Sequence, residues 1–173
     1  MLVVEEEARD PYEVAREAAL RLLDVRERSV AELRELLRRR GYPDAAIEKV
    51  LARLSEIHLL DDARFARLLT KRCQVKLRSR VQAAIELERK GVSKELAAAA
   101  LEEYYGSAIG DETPEREIAI AYARKRIPSL RGLPYEKAYP KLARALSNKG
   151  FSTAVAVEVT KAIMAELAGE NPG

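Results

Sequence analysis

Leu33-Arg34-Glu35-Leu36-Leu37-Arg38-Arg39-Arg40-Gly41-Tyr42 is the first of three stretches of one design. The second is Ala83-Ala84-Ile85-Glu86-Leu87-Glu88-Arg89-Lys90-Gly91-Val92, and the third is Leu142-Ala143-Arg144-Ala145-Leu146-Ser147-Asn148-Lys149-Gly150-Phe151. Each sets Leu four residues before Gly, a basic residue directly before it and a large apolar residue directly after it. A helix commonly ends on a glycine in the left-handed conformation, which a Cβ penalises. A cation in the last turn meets the negative end of the helix dipole, and an apolar residue beyond the glycine folds back onto the helix. Three such endings, with glycines 50 and 59 residues apart, predict a repeated helical unit.

Outward from these stretches the helix starts agree. Ser29 with Glu32 reads as a capping box for the helix that closes at Gly41, and Asp61 reads as the cap of a later helix with Leu60 and Phe65 as its hydrophobic staple. Ser93 and Ser152 follow their glycines at cap positions, and Thr113 precedes a proline suited to a first helical turn. The expected helices lie near 11–26, 29–40, 44–57, 61–76, 80–90, 93–105, 114–127, 139–149 and 152–168. Residues 154–159 alternate like a strand, but their register with the other repeats predicts helix. Residues 106–113 read as a loop, and 128–138, with Pro128, Gly132 and Pro134, as a longer connector. The fold expected is all-α: tandem three-helix repeats over 11–60, 61–106 and 111–168 in an elongated, curved array, after an acidic tail 1–10.

Composition supports this and narrows function. Of 173 residues 47% are hydrophobic, enough for a core, and Ala, Leu, Glu, Arg and Lys dominate, the strongest helix formers. The net charge of +3 hides an asymmetry: residues 1–13 carry −4 and the remainder +7, a basic body suited to polyanions or acidic protein surfaces. One cysteine, Cys73, permits no internal disulfide and no cysteine-based zinc site. With no signal-peptide pattern and no long apolar run, a cytoplasmic chain without a membrane span is expected.

Catalysis has little to work with. His58, the single histidine, sits among Ile57, Leu59 and Leu60 and reads as packed or half-buried. Cys73 shares a helix face with Phe65 and Leu69 and reads as a small hydrophobe. Asp61-Asp62 and Glu102-Glu103 lack further ligands at metal spacing, and no phosphate loop or nucleophile elbow occurs. No catalytic residue, metal or cofactor is expected, and Tyr104 and Tyr105 read as rim and core residues.

The cations are informative. Arg64, Arg67, Lys71, Arg72, Lys76, Arg78 and Arg80 follow one another without an intervening acid. Arg64, Arg67 and Lys71 fall on one helical stripe opposite Phe65, Leu69 and Cys73. Solvated faces usually mix both signs. Such a stripe either meets a polyanion or acidic partner, or is neutralised by acids on neighbouring helices. Arg38, Arg39 and Arg40, and Arg124, Lys125 and Arg126 with Arg131, form two further clusters at helix ends, where dipole complementarity is an equal account.

Asp61-Asp62-Ala63-Arg64-Phe65-Ala66, the basic helix after it and Glu86-Leu87-Glu88-Arg89-Lys90-Gly91-Val92 together resemble the central signature of the RecX family. Arg26-Glu27-Arg28-Ser29, Glu32-Leu33 and Gly41-Tyr42 before it, and Asn148-Lys149-Gly150-Phe151 after it, extend the resemblance over roughly residues 12–168. The resemblance implies tandem three-helix repeats in a curved chain that binds the RecA recombinase filament, inhibits strand exchange, ATP hydrolysis and co-protease activity, and binds DNA weakly. It puts Arg64, Arg67, Lys71 and Lys76 at the family's basic positions, in a monomer without cofactor. Three positions depart from the pattern: Cys73 stands where Arg is usual, Leu77 where Gly is usual and Arg80 where Pro is common. A differently shaped turn after the basic helix is therefore expected. Two other functions fit the same residues: a sequence-tolerant DNA-binding module, or a structural adaptor for acidic proteins.

Overall fold

A computed structural model describes residues 10–106 and 114–169. Among these residues the chain forms nine α-helices, one short 3-10 turn and no strand. They are α1 (Pro11–Val25), α2 (Val30–Arg39), α3 (Asp44–Glu56), α4 (Asp62–Val75), α5 (Arg80–Arg89), α6 (Lys94–Tyr105), α7 (Pro114–Arg124), α8 (Tyr135–Asn148) and α9 (Thr153–Gly169), with the 3-10 turn at Ile127–Ser129. The alternating stretch 154–159 is helical, inside α9. The acidic residues 1–9, Thr113 and most of the loop 106–113 lie outside the described residues.

The helices gather into two compact units. One runs to Phe65 and takes in the turn Lys90–Ser93; the other holds Ala66–Arg89 and the chain from Lys94 onward. In the first, α1 packs on α3 and α2 on both. Ala15, Ala19, Leu33, Leu37, Ile47, Val50 and Leu54 fill the space between them. In the second, α5 packs on α6, and α9 lies against α7 and α8, around Leu87, Leu101, Ile118, Leu142, Leu146, Val159 and Ile163. Leu37, Leu87 and Leu146 are each 0% exposed, the buried last-turn leucine that the three glycine endings predict.

The endings themselves take the expected form. Gly41, Gly91 and Gly150 have φ of +83°, +69° and +84°. At Gly41 the amide donates to the Arg38 carbonyl at 2.9 Å and the next amide, of Tyr42, to Leu37 at 3.3 Å; Gly150 and Phe151 repeat this with Ser147 and Leu146 at 2.9 and 3.3 Å. This pair of bonds satisfies carbonyls that a helix end otherwise leaves open.

Two residues with side chains adopt the same turn. His58, at φ +56°, donates its amide to Ser55 at 3.0 Å while Leu59 donates to Leu54 at 3.0 Å. His58 is exposed, so it is not the packed or half-buried residue that its apolar neighbours suggest: Ile57 and Leu59 beside it in the turn are exposed as well. Leu77, at φ +53°, donates to Gln74 at 2.8 Å and Arg78 to Cys73 at 3.0 Å. The turn after α4 is thus the same as at the glycines, contrary to the expectation from Leu77. Its two hydrogen bonds hold a residue for which the left-handed conformation costs about 1–2 kcal/mol.

One helix begins earlier than its sequence suggests. α8 starts at Tyr135, after Pro134 in an extended conformation, and carries Pro140 inside it. The connector is accordingly shorter than 128–138. Pro140 removes a hydrogen bond to the carbonyl one turn before it, and that carbonyl belongs to Glu136, an exposed residue near the helix start.

Candidate functional site

The start of α2 is held from three sides within the first unit. The Ser29 hydroxyl, fully buried, accepts the Glu32 amide at 3.0 Å and donates to the Lys90 carbonyl. The Val30 amide donates to Asp62 Oδ1 at 2.8 Å. Where the capping-box pattern returns Glu32 to the Ser29 amide, its carboxylate instead receives hydrogen bonds from Arg26 and, at 3.0 Å, from Lys90, with Arg28 at 3.6 Å. Burial pushes the Glu32 carboxyl up, but the bonds from Arg26 and Lys90 outweigh it and hold the group below its ordinary value. Burial also raises Asp62, against the Val30 amide, which lowers it.

The second unit repeats the device at α5. Ser79, also fully buried, accepts the Gln82 amide at 3.2 Å, and the Arg80 amide donates to Glu115 Oε1, on α7, at 3.0 Å. A Cβ at Gly150 would lie 2.7 Å from Ser79 Oγ, and one at Gly91 would collide with Ala31 Cβ. In both places a buried serine at a helix start faces a glycine turn.

Several expected site residues serve this framework. Arg64 is drawn inward: its Nη2 donates to Glu27 Oε2 at 3.2 Å, and its Nε lies 3.0 Å from Glu27 Oε1, an ion-pair distance. It also donates to the carbonyls of His58 and Leu59 at 3.2 and 3.3 Å, so it closes the α3–α4 turn and leaves the free stripe. The Arg64 amide caps on Asp61 at 2.9 Å, as expected. Arg78 donates to Glu86 at 3.2 Å, and its carbonyl accepts the buried Tyr105 hydroxyl at 2.9 Å. Arg80 donates to the Gly106 carbonyl at 2.9 Å and lies 3.7 Å from Glu102. Cys73 is buried, and burial raises its thiol.

The remaining cations of α4 are different. Arg67, Lys71, Arg72 and Lys76 are exposed, and among the described residues no carboxylate forms an ion pair with them. Arg67 and Lys71 occupy the side of the helix away from Phe65, Leu69 and Cys73, which are buried; Arg72 borders that buried row, and Lys76 follows the last residue of α4. Leu68 and Val75 lie among them and are exposed as well. The same helical arithmetic that picks out the stripe would have found these two, since neither projects onto the buried arc.

The two outlying clusters are mixed. At the end of α2, Arg38 pairs with Asp44 at 2.7 Å and Arg39 with Glu35 at 2.8 Å, while Arg40 is exposed. At the end of α7, Arg124 pairs with Glu166 at 3.0 Å, which raises its pKa. Arg126 donates to the Tyr122 hydroxyl at 2.6 Å and covers that ring at 4.8 Å; Lys125 is exposed. Among the described residues no group of His, Cys, Asp and Glu could hold a metal ion, and no helix is long and apolar enough to cross a membrane.

Among the described residues the chain is helical, with ion-paired arginines at several helix joints and cations on α4 that form no ion pair with a carboxylate. Residues 15–54 match the family model described as RecX, first three-helix domain. The "Regulatory protein RecX" of Amycolatopsis mediterranei is 35% identical over 161 residues, covering 92% of this chain and 89% of that protein. That of Prosthecochloris aestuarii is 38% identical over 136 residues, covering 78% and 83%. The crystal structure of RecX from Lactobacillus salivarius superposes with a TM-score of 0.74 at 22% identity, covering 92% of this chain and 97% of that one. The chain belongs to the RecX family of regulatory proteins.

Proposed function

We propose that the chain binds the RecA recombinase filament on DNA and inhibits its strand exchange, ATP hydrolysis and co-protease activity, thereby restraining recombination, DNA repair and the SOS response in the cytoplasm. The observation that carries this is the exposed set Arg67, Lys71, Arg72 and Lys76, which forms no ion pair with a carboxylate among the described residues, on a chain of the RecX family. Cations left without their own carboxylates gain most from an acidic partner, and they direct its approach.

The mechanism is steric and electrostatic, that of a binding protein rather than an enzyme. A monomer of three linked three-helix repeats lays basic surface along the filament, and each contact raises the effective concentration for the next. Weak binding to DNA accompanies this, since the same cations attract phosphates. Arg40 and Lys125 add cationic contacts outside α4. Strand exchange by a bacterial RecA, followed with increasing amounts of the chain, tests the proposal: inhibition should be dose-dependent. Exchange unaffected by an excess of folded protein would refute it.

A further inference from the structure

The exposed face of α4 carries more than charge. Leu68 and Val75 are 44% and 73% exposed, and they stand two turns, about 10 Å, apart along the helix. Lys71 and Arg72 lie between them at the third and fourth positions. This is the spacing that ordinarily makes a buried apolar stripe. Here the outer two positions are apolar and the middle two cationic, while Arg67 and Lys76 continue the charge at either end. A single exposed leucine on a protein surface has no special meaning. Two aliphatic side chains on one face, flanked by Lys71 and Arg72 with Arg67 and Lys76 further round the helix, form a pattern.

The chemistry of that pattern selects its partner. Phosphate oxygens would satisfy the cations, but a hydrated phosphodiester backbone offers nothing to Leu68 or Val75. Protein interfaces combine an apolar centre, where arginine is enriched, with a polar rim. Since the four cations form no ion pair with a carboxylate among the described residues, the balancing negative charge belongs to the partner. We infer that this face is a protein-docking ridge: Leu68 and Val75 enter an apolar depression, and Arg67, Lys71, Arg72 and Lys76 meet the carboxylates around it. Resting on the function proposed above, it assigns the face to an acidic surface of the recombinase itself rather than to the DNA that the recombinase coats.

The test uses the full chain carrying Leu68→Ser and Val75→Ser, which leaves every cation in place. Labelled parent and variant are titrated with RecA filaments held on single-stranded DNA by a slowly hydrolysed nucleotide, and separately with the bare oligonucleotide. Helical signal and melting temperature check the fold; if the serine pair lowers them, the Leu68→Ala, Val75→Ala pair replaces it. Filament affinity should fall about tenfold or more, while oligonucleotide affinity changes by less than about twofold. Undiminished filament binding would overturn the ridge while leaving the proposed function intact. A loss confined to the oligonucleotide would overturn it too and assign the face to nucleic acid. If the parent itself fails to bind filaments, the proposed function falls and the ridge with it.

Discussion

The hydroxyl of Ser29 donates to the carbonyl of Lys90, 61 residues further along the chain. The same oxygen caps α2 through the Glu32 amide, so one buried atom both starts a helix and fastens the glycine turn that ends another. Ser79 caps α5 in the same way and lies beside the Gly150 turn.

This arrangement separates two glycines that look alike in sequence. A Cβ at Gly91 meets Ala31, whereas one at Gly41 meets nothing within 4 Å. Both have positive φ, so Gly41→Ala should cost about 1–2 kcal/mol from backbone strain alone. Gly91→Ala adds overpacking, about 1–3 kcal/mol more. Urea unfolding of the two variants checks the order, and equal losses would show that the Ala31 contact is not tight.

His58→Gly should stabilise the chain by about 0.5–1 kcal/mol. It relieves a left-handed residue at a position where glycine is at ease, and the exposed imidazole gives up little packing. Leu77→Gly relieves the same conformation but gives up a half-buried side chain, so its gain should be smaller. Thermal melting of both variants checks this ranking.

Leu37, Leu87 and Leu146 each sit in the last turn before their glycine and are each 0% exposed. Truncation of any one to Ala should cost about 2–5 kcal/mol. Denaturant midpoints check this, and a loss below about half a kcal/mol at two of the three sites would show that the three endings are not equivalent in packing.

Glu32 makes stability depend on pH in a stated direction. Its folded pKa lies below its ordinary value, so its contribution is fully present above that ordinary value and is lost as pH falls through the lower, folded one. Glu32→Gln should therefore destabilise the chain by about 1–3 kcal/mol near neutral pH, leaving Arg26, Arg28 and Lys90 without their carboxylate. The gap to the parent should close as the solution is acidified. Melting temperatures of the two proteins across the acid range check this.

Helices and their endings were legible because capping, dipole and periodicity are local. Leu37, Leu87 and Leu146 could be named as core from four residues of context. What escaped depends on partners distant in sequence: Glu27 took Arg64 out of the basic stripe, and Lys90 and Arg26 took Glu32 out of its capping box. His58 escaped for a different reason. Its neighbours Ile57 and Leu59 are apolar yet exposed themselves, so apolar flanks did not mark a packed position.

Whether the basic face of α4 restrains the recombinase is decided by ATP hydrolysis by RecA on single-stranded DNA. It is followed with the parent chain and with the Arg67→Glu, Lys71→Glu variant. Both side chains are exposed and without a paired carboxylate among the described residues, so folding should change by only a few tenths of a kcal/mol, ~0.5 at most per site. The parent should slow hydrolysis in proportion to its concentration, and the folded variant should not. Hydrolysis unaffected by the parent, or slowed equally by the variant, would contradict this.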